Sequence, residues 1–110
     1  METIKSYSDL QQSKKLADIL PLKSADMSWV SNGLGKPFAR TIPIKGDTEE
    51  LCGCWSLAAL LDVLQNYEIN NFGDSIQLAV KNKALVTDEG ETLLDLVVNM
   101  IIYLHELNLL

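Results

Sequence analysis

Basic residues, cysteine and histidine are scarce in this chain, and each scarcity removes a class of function. Nine Lys and Arg stand against fifteen Asp and Glu, for a formal charge of −6 at pH 7. The basic residues are scattered, with close pairs only at Lys14/Lys15 and Lys81/Lys83, and none follows Lys83. Nucleic-acid affinity comes largely from Lys and Arg set against phosphates, so direct binding to DNA or RNA is not expected. Adhesion to an anionic membrane surface is disfavoured on the same ground. The two cysteines are one residue apart, Cys52 and Cys54, so no disulfide closes a long loop. With two thiols and one imidazole, His105, the four Cys or His ligands of a structural zinc site are not present in one chain.

Long apolar runs are also missing. The most apolar region, "LLDLVVNMIIYLHELNLL", is interrupted by Asp95, Asn99, His105 and Glu106. A carboxylate at the centre of a bilayer costs about 2.5–3.5 kcal/mol, so no membrane span is expected. The opening "METIKSYSDLQQSKK" lacks the apolar core of a signal peptide. Together these point to a cytoplasmic protein. With 110 residues, no repeat and no linker, the chain reads as one domain over 1–110.

The patterning that is present predicts an α+β domain. "SDLQQSKKLADIL" reads as a helix capped by Ser8, with Gln11 completing a capping box, and stopped by Pro21. "MSWV" and "FARTI" are strand-like around the turn signal Asn32-Gly33, with Arg40 and Ile42 on one side. "DTEELCGCW" reads as a connector. It leads to an amphipathic helix in which Leu57, Leu60, Leu61 and Leu64 share a face behind an N-cap at Ser56. "NYEINNFGD" reads as a break. "SIQLAV" and "ALVT" then make a second hairpin around "KNK", with Ile76, Leu78 and Val80 on one face. The final helix, in "ETLLDLVVNMIIYLHEL", carries a stripe of Leu93, Val97, Met100, Ile101 and Leu104, widened by Leu94, Val98 and Ile102. The expected order is α-β-β-α-β-β-α, with a small antiparallel sheet of two hairpins packed against about three helices.

The polar candidates each have a bland reading. Cys52 and Cys54 act as small packing side chains where the chain approaches the second helix, with Gly53 turning the backbone between them. Their reactive alternative is a thiol- or metal-dependent enzyme or sensor that enlists His105. That histidine is otherwise explained by the dipole at the end of the last helix. "GLGKP", Gly33 to Pro37, lacks the Ser or Thr and the following helix of a phosphate loop, and reads as a turn. The acidic clusters Asp47/Glu49/Glu50 and Asp88/Glu89/Glu91 read as charge ahead of helix starts. Trp29 and Trp55 read as plugs at the rim of the core.

Three segments, "QQSKKLADILPLKSADMSWV", "CWSLAALLDVL" and "LHELNLL", resemble a group of small uncharacterised proteins encoded in gut Bacteroidales genomes, often within phage-like or other mobile elements. Gly53 departs from the proline expected there, and 66–87 is shorter than usual. The resemblance implies a compact α+β domain and supplies no catalytic residue, metal ligand or cofactor. The expectation is therefore a non-enzymatic interaction or accessory protein without cofactor. Its surface would comprise Trp55, Leu94, Val98 and Ile102, and the over-wide last helix suggests a homodimer. An acidic nucleic-acid mimic of a mobile element is a further alternative.

Overall fold

The fold is described from a computed structural model, for residues 6–31, 36–41 and 49–110, without the side chains of Thr41, Glu49 and Glu50. Helix α1 spans Leu10–Ala17, and a short 3-10 turn at Leu22–Ser24 leads to strands β1 (Met27–Ser31), β2 (Phe38–Thr41) and β3 (Glu49–Cys54). Helix α2 (Leu57–Leu64) follows, then β4 (Glu68–Phe72), β5 (Ser75–Val80), β6 (Lys83–Val86) and helix α3 (Leu93–Glu106). The strands form two antiparallel sheets of three, ordered β2-β1-β3 and β4-β5-β6. The class is α+β as expected, but each expected hairpin has gained a third strand.

The added strands are the two segments whose composition argues against a strand. β3, "EELCGC", was expected as a connector, yet it pairs along β1 from Met27↔Cys54 to Ser31↔Glu49. A bulge between Trp29 and Val30 admits Leu51 as the extra residue. β4, "EINNF", was expected as a break, and its asparagines instead join a ladder with β5. Asn70 Nδ2 donates to Gln77 Oε1 across that pair at 3.3 Å. Backbone pairing needs only donors and acceptors, so partners already in place recruit segments of poor intrinsic preference.

Turn chemistry fixes the second sheet. Lys81 and Asn82 both have positive φ, 50° and 65°, between Val80 and Lys83, which pair with each other. That is the two-residue hairpin loop whose twist matches antiparallel strands. Gly73, at φ 65°, opens the other two-residue loop, between Phe72 and Ser75. Ile76, Leu78 and Val80 lie on one face as predicted, with Leu78 and Val80 buried.

Each helix begins at a side-chain cap. Ser56 Oγ accepts from Ala59 N as expected. For α1 the cap is Asp9 rather than Ser8: its Oδ1 accepts from Gln12 N at 2.7 Å, while Gln12 Oε1 accepts from Asp9 N at 3.1 Å. Thr92 and Asp95 form the same reciprocal box on α3. Gln12 Nε2 also donates to Asp95 Oδ1 at 2.8 Å, so one side-chain bond joins the starts of the two helices.

Helix α3 is the axis of the molecule, packed by α1, α2, β5 and β6. Leu94, Leu96, Val97, Val98, Met100, Ile101 and Leu104 are all buried. The wide stripe is thus covered by the chain's own elements, and it no longer argues for a homodimer. Trp55, Leu94 and Val98, expected on an interaction surface, lie wholly inside the core, and only Ile102 of that set is partly exposed.

Candidate functional site

Cys52 and Cys54 are separated by one residue on an extended strand, so they share one face of β3. Gly53 points to the other face, and its role is close approach rather than turning. A Cβ there would sit 3.1 Å from Ala25 Cβ, 3.2 Å from Leu22 Cδ1 and 3.3 Å from Trp55 Cη2. Cys52 is half-buried, whereas Cys54 is 0 % exposed, and neither is in a disulfide.

What surrounds Cys54 is a buried polar knot. Residues Ser6–Asp9 run across the end of β3, where Tyr7 bridges Ser56, Ser8 N donates to Trp55 O and Leu57 N donates to Ser6 O. Ser8 Oγ accepts from Trp55 N at 3.1 Å and lies 2.6 Å from Ser13 Oγ. Trp29 Nε1 donates to Ser8 O and to Ser13 Oγ, both at 3.1 Å. The Cys54 thiol donates to Ser8 O at 3.5 Å, with Ser8 Oγ 3.8 Å from the sulfur. Ser8 and Ser13 are both fully buried. Burial pushes the Cys54 thiol above its ordinary pKa. The Ser8 and Ser13 hydroxyls oppose that shift, and the Asp26 carboxylate and Cys52 reinforce it. At neutral pH the sulfur is protonated and enclosed, the opposite of an activated nucleophile.

The indoles are anchored by the same kind of bond. Trp55 Nε1 donates to Ser24 Oγ at 3.0 Å, and Trp55 is a core residue, not a rim plug. Trp29 is half-buried with Tyr7 edge-on against it, ring centres 6.1 Å apart. Asp26 accepts from both Ser56 N and Ser56 Oγ and so holds the start of α2. Sequence reasoning read Ser8 as a helix cap and passed over Ser13 and Asp26. For Ser13 a signal existed: it falls three residues after Leu10 and three before Leu16, on the buried face of α1.

The structure does not gather the remaining candidates. His105 is exposed on the last turn of α3. Among the described residues no group of three or more His, Cys, Asp or Glu is placed to hold a metal ion. Asp47, Gly33, Ile42 and the Asn32-Gly33 turn lie outside the described residues, although β1 and β2 on either side do pair antiparallel. Glu49 and Glu50 belong to β3 rather than standing directly before a helix. The second acidic group does precede α3: Glu91 Oε1 accepts from Asp88 N and its Oε2 from Asn99 Nδ2.

Two surface features stand on the second sheet. A cleft of about 640 Å³ opens at its end, with Asn71, Asp74, Thr87, Asp88, Glu89 and Glu91 in its wall. On the sheet face turned from the core, Phe72 is 61 % and Val86 50 % exposed, and they flank β5 opposite Ser75 and Gln77. Among the described residues no helix is long and apolar enough to cross a membrane. Compared with family models, curated proteins and solved structures, the chain matches none.

Proposed function

We propose that this chain is a non-enzymatic interaction or accessory protein that works through the open face of its second sheet. One observation carries the reading: Phe72 and Val86 stand exposed on that face while seven apolar side chains of α3 are buried in the core. An exposed aromatic on a rigid strand supplies contact area at low entropic cost, the usual anchor of an interface. The acidic wall of the neighbouring cleft, with Asp74, Asp88 and Glu89, favours a partner that brings Lys or Arg beside an apolar contact. Against the thiol-dependent alternative stands Cys54, which is enclosed and has a raised thiol pKa. The resemblance to Bacteroidales mobile-element proteins makes a lysate of such a host the place to search.

The test is capture on immobilised protein, followed by titration of the purified partner against wild type and a Phe72→Ser/Val86→Ser variant. Both positions are exposed, so the variant keeps the wild-type circular dichroism. The reading expects affinity to fall by at least tenfold, about 1.4 kcal/mol. Equal affinity of the two proteins for every captured partner would remove it. A second copy of this chain counts as a partner in that titration.

A further inference from the structure

The second sheet has a free edge, and its register says which groups line it. Thr87 N donates to Ile76 O at 2.9 Å, so Ile76 spends its backbone groups on the β6 side of β5. By alternation Ser75, Gln77 and Ala79 spend theirs on β4, where their partners are Phe72, Asn70 and Glu68. The backbone N–H and C=O of Ile69 and Asn71 therefore point outward, and among the described residues β4 pairs with β5 alone. The other three edge strands carry devices that discourage an added strand. β3 is bulged at Leu51 and packed by α1, β2 carries Arg40 and follows Lys36 and Pro37, and β6 opens on Lys83. β4 has no bulge, proline or basic residue. It is acidic at both ends: Glu68 is exposed at its start, and beyond Phe72 stands Asp74, which shares the cleft wall with Asp88 and Glu89.

We propose that β4 accepts a further strand from the partner: an extended basic segment that pairs with the backbone of Ile69 and Asn71 and continues the second sheet. It rests on the reading that the partner docks on this sheet. An extended chain along the edge presents a donor and an acceptor at every second residue, which matches Ile69 and Asn71. Its alternate side chains fall on the open face, beside Glu68 and Phe72, and those between fall on the side of Asn71 and the cleft. The segment thus carries an apolar residue for Phe72 and Lys or Arg for Glu68, Asp74 and Asp88. Charge decides against a second copy as the occupant. Antiparallel pairing of two β4 strands about Asn71 sets Glu68 opposite the other copy's Asp74, and like charges so placed destabilise a strand pair. The net charge of −6 on each chain adds to that repulsion.

The probe is a pool of short synthetic peptides in which Lys or Arg alternates with Val, Ile or Phe, matched by a pool with Glu in the basic positions. Binding to the full chain is followed by amide NMR shifts and hydrogen exchange. The expected result is binding of the basic pool alone, weakened by salt, with exchange at the Ile69 and Asn71 amides slowed on the order of tenfold. Asn71→Pro removes an outward N–H without touching the ladder to β5, since proline is tolerated on an edge strand, and should lower affinity at least tenfold. Glu68→Lys, at an exposed position, weakens binding through charge and serves as the second variant if Asn71→Pro fails to fold. Binding that Phe72→Ser/Val86→Ser abolishes, with the Ile69 and Asn71 amides still exchanging freely, overturns strand addition and leaves the sheet-face reading standing. Binding that none of these variants alters removes both. Equal binding of the two pools, or no binding of the basic one, also overturns the proposal. So does a concentration-dependent dimer of the chain that protects the same two amides, because the occupant is then a second copy.

Discussion

The two three-stranded sheets are built from similar numbers of residues and are held to the molecule by different forces. The second sheet gives Leu78 and Val80 to the buried cluster around α3, with Ile69, Ile76 and Leu85 packed against it. Among the described residues, no side chain of β1, β2 or β3 belongs to that cluster. The first sheet is joined instead through β3 to α1 and through the bonds of Ser8, Ser13, Trp29, Cys54 and Trp55. Apolar burial is non-directional and tolerates small displacements, whereas a buried hydrogen-bonded knot demands that every partner be present. The second sheet should therefore respond to lost volume, and the first to lost partners or lost clearance.

The largest expected effect lies in the second sheet. Leu78→Ala removes a fully buried side chain from the centre of β5 and should destabilise by about 2–5 kcal/mol. Urea denaturation followed by circular dichroism checks this as a lowered midpoint with an unchanged slope. A loss below about 1 kcal/mol would mean that this sheet is not anchored by its apolar face. The first sheet is tested by adding volume. Gly53→Val places methyl groups where a Cβ alone already meets Ala25 at 3.1 Å, at an expected cost of about 1–3 kcal/mol. Combining it with Ala25→Gly should recover part of the loss, and strict additivity of the pair would show that the contact is not the cause.

The same contrast explains what was legible in the sequence. Periodic apolar residues announced α2, α3 and β5 because those elements are placed by hydrophobic burial, and the pattern is the force itself. Ser56 was legible as a cap for a similar reason, since its local spacing carries the interaction. β3 and β4 were not legible, because "EELCGC" and "EINNF" are strands only through partners distant in sequence. The knot at Cys54 escaped for the same cause: Ser8 and Cys54 are forty-six residues apart, and nothing local marks either as buried. The thiol pair was visible as a motif and its packing role was assigned, but the reason for Gly53 lies in Ala25 and Leu22, which no spacing rule connects to it. The wide stripe on α3 was visible, yet the sequence alone does not say that four elements of the same chain cover it. Phe72 and Val86 fell within segments read as a break and a short strand, so the face they share became visible only with the register of β4, β5 and β6.

A smaller effect is expected where the two regions meet. Gln12→Ala removes the bond from α1 to Asp95 on α3 together with half of the Asp9 capping box. The bond is partly exposed, so the loss should be about 1 kcal/mol. Gln12→Glu sharpens the point: it keeps an acceptor for Asp9 N but sets a carboxylate against Asp95. The glutamate variant should therefore be the less stable of the two near neutral pH, and should recover in mild acid.

The smallest effect is one of pH, and it isolates the knot. The folded state holds the Cys54 thiol above its ordinary pKa, chiefly by burial, so the unfolded chain loses this proton at a lower pH than the folded one. Between those two values the unfolded state binds fewer protons, and stability falls as pH rises. The contribution is fully present below the ordinary thiol pKa of about 8.5 and is lost above it. Lysines and tyrosines titrate in the same alkaline range, so the informative quantity is the difference between wild type and Cys54→Ala. That difference should be constant from pH 6 to about 8 and then shift in favour of the variant as the pH rises further. A constant difference across the whole range would mean that the thiol is as accessible to water in the fold as in the open chain, which the contact with Ser8 O does not permit.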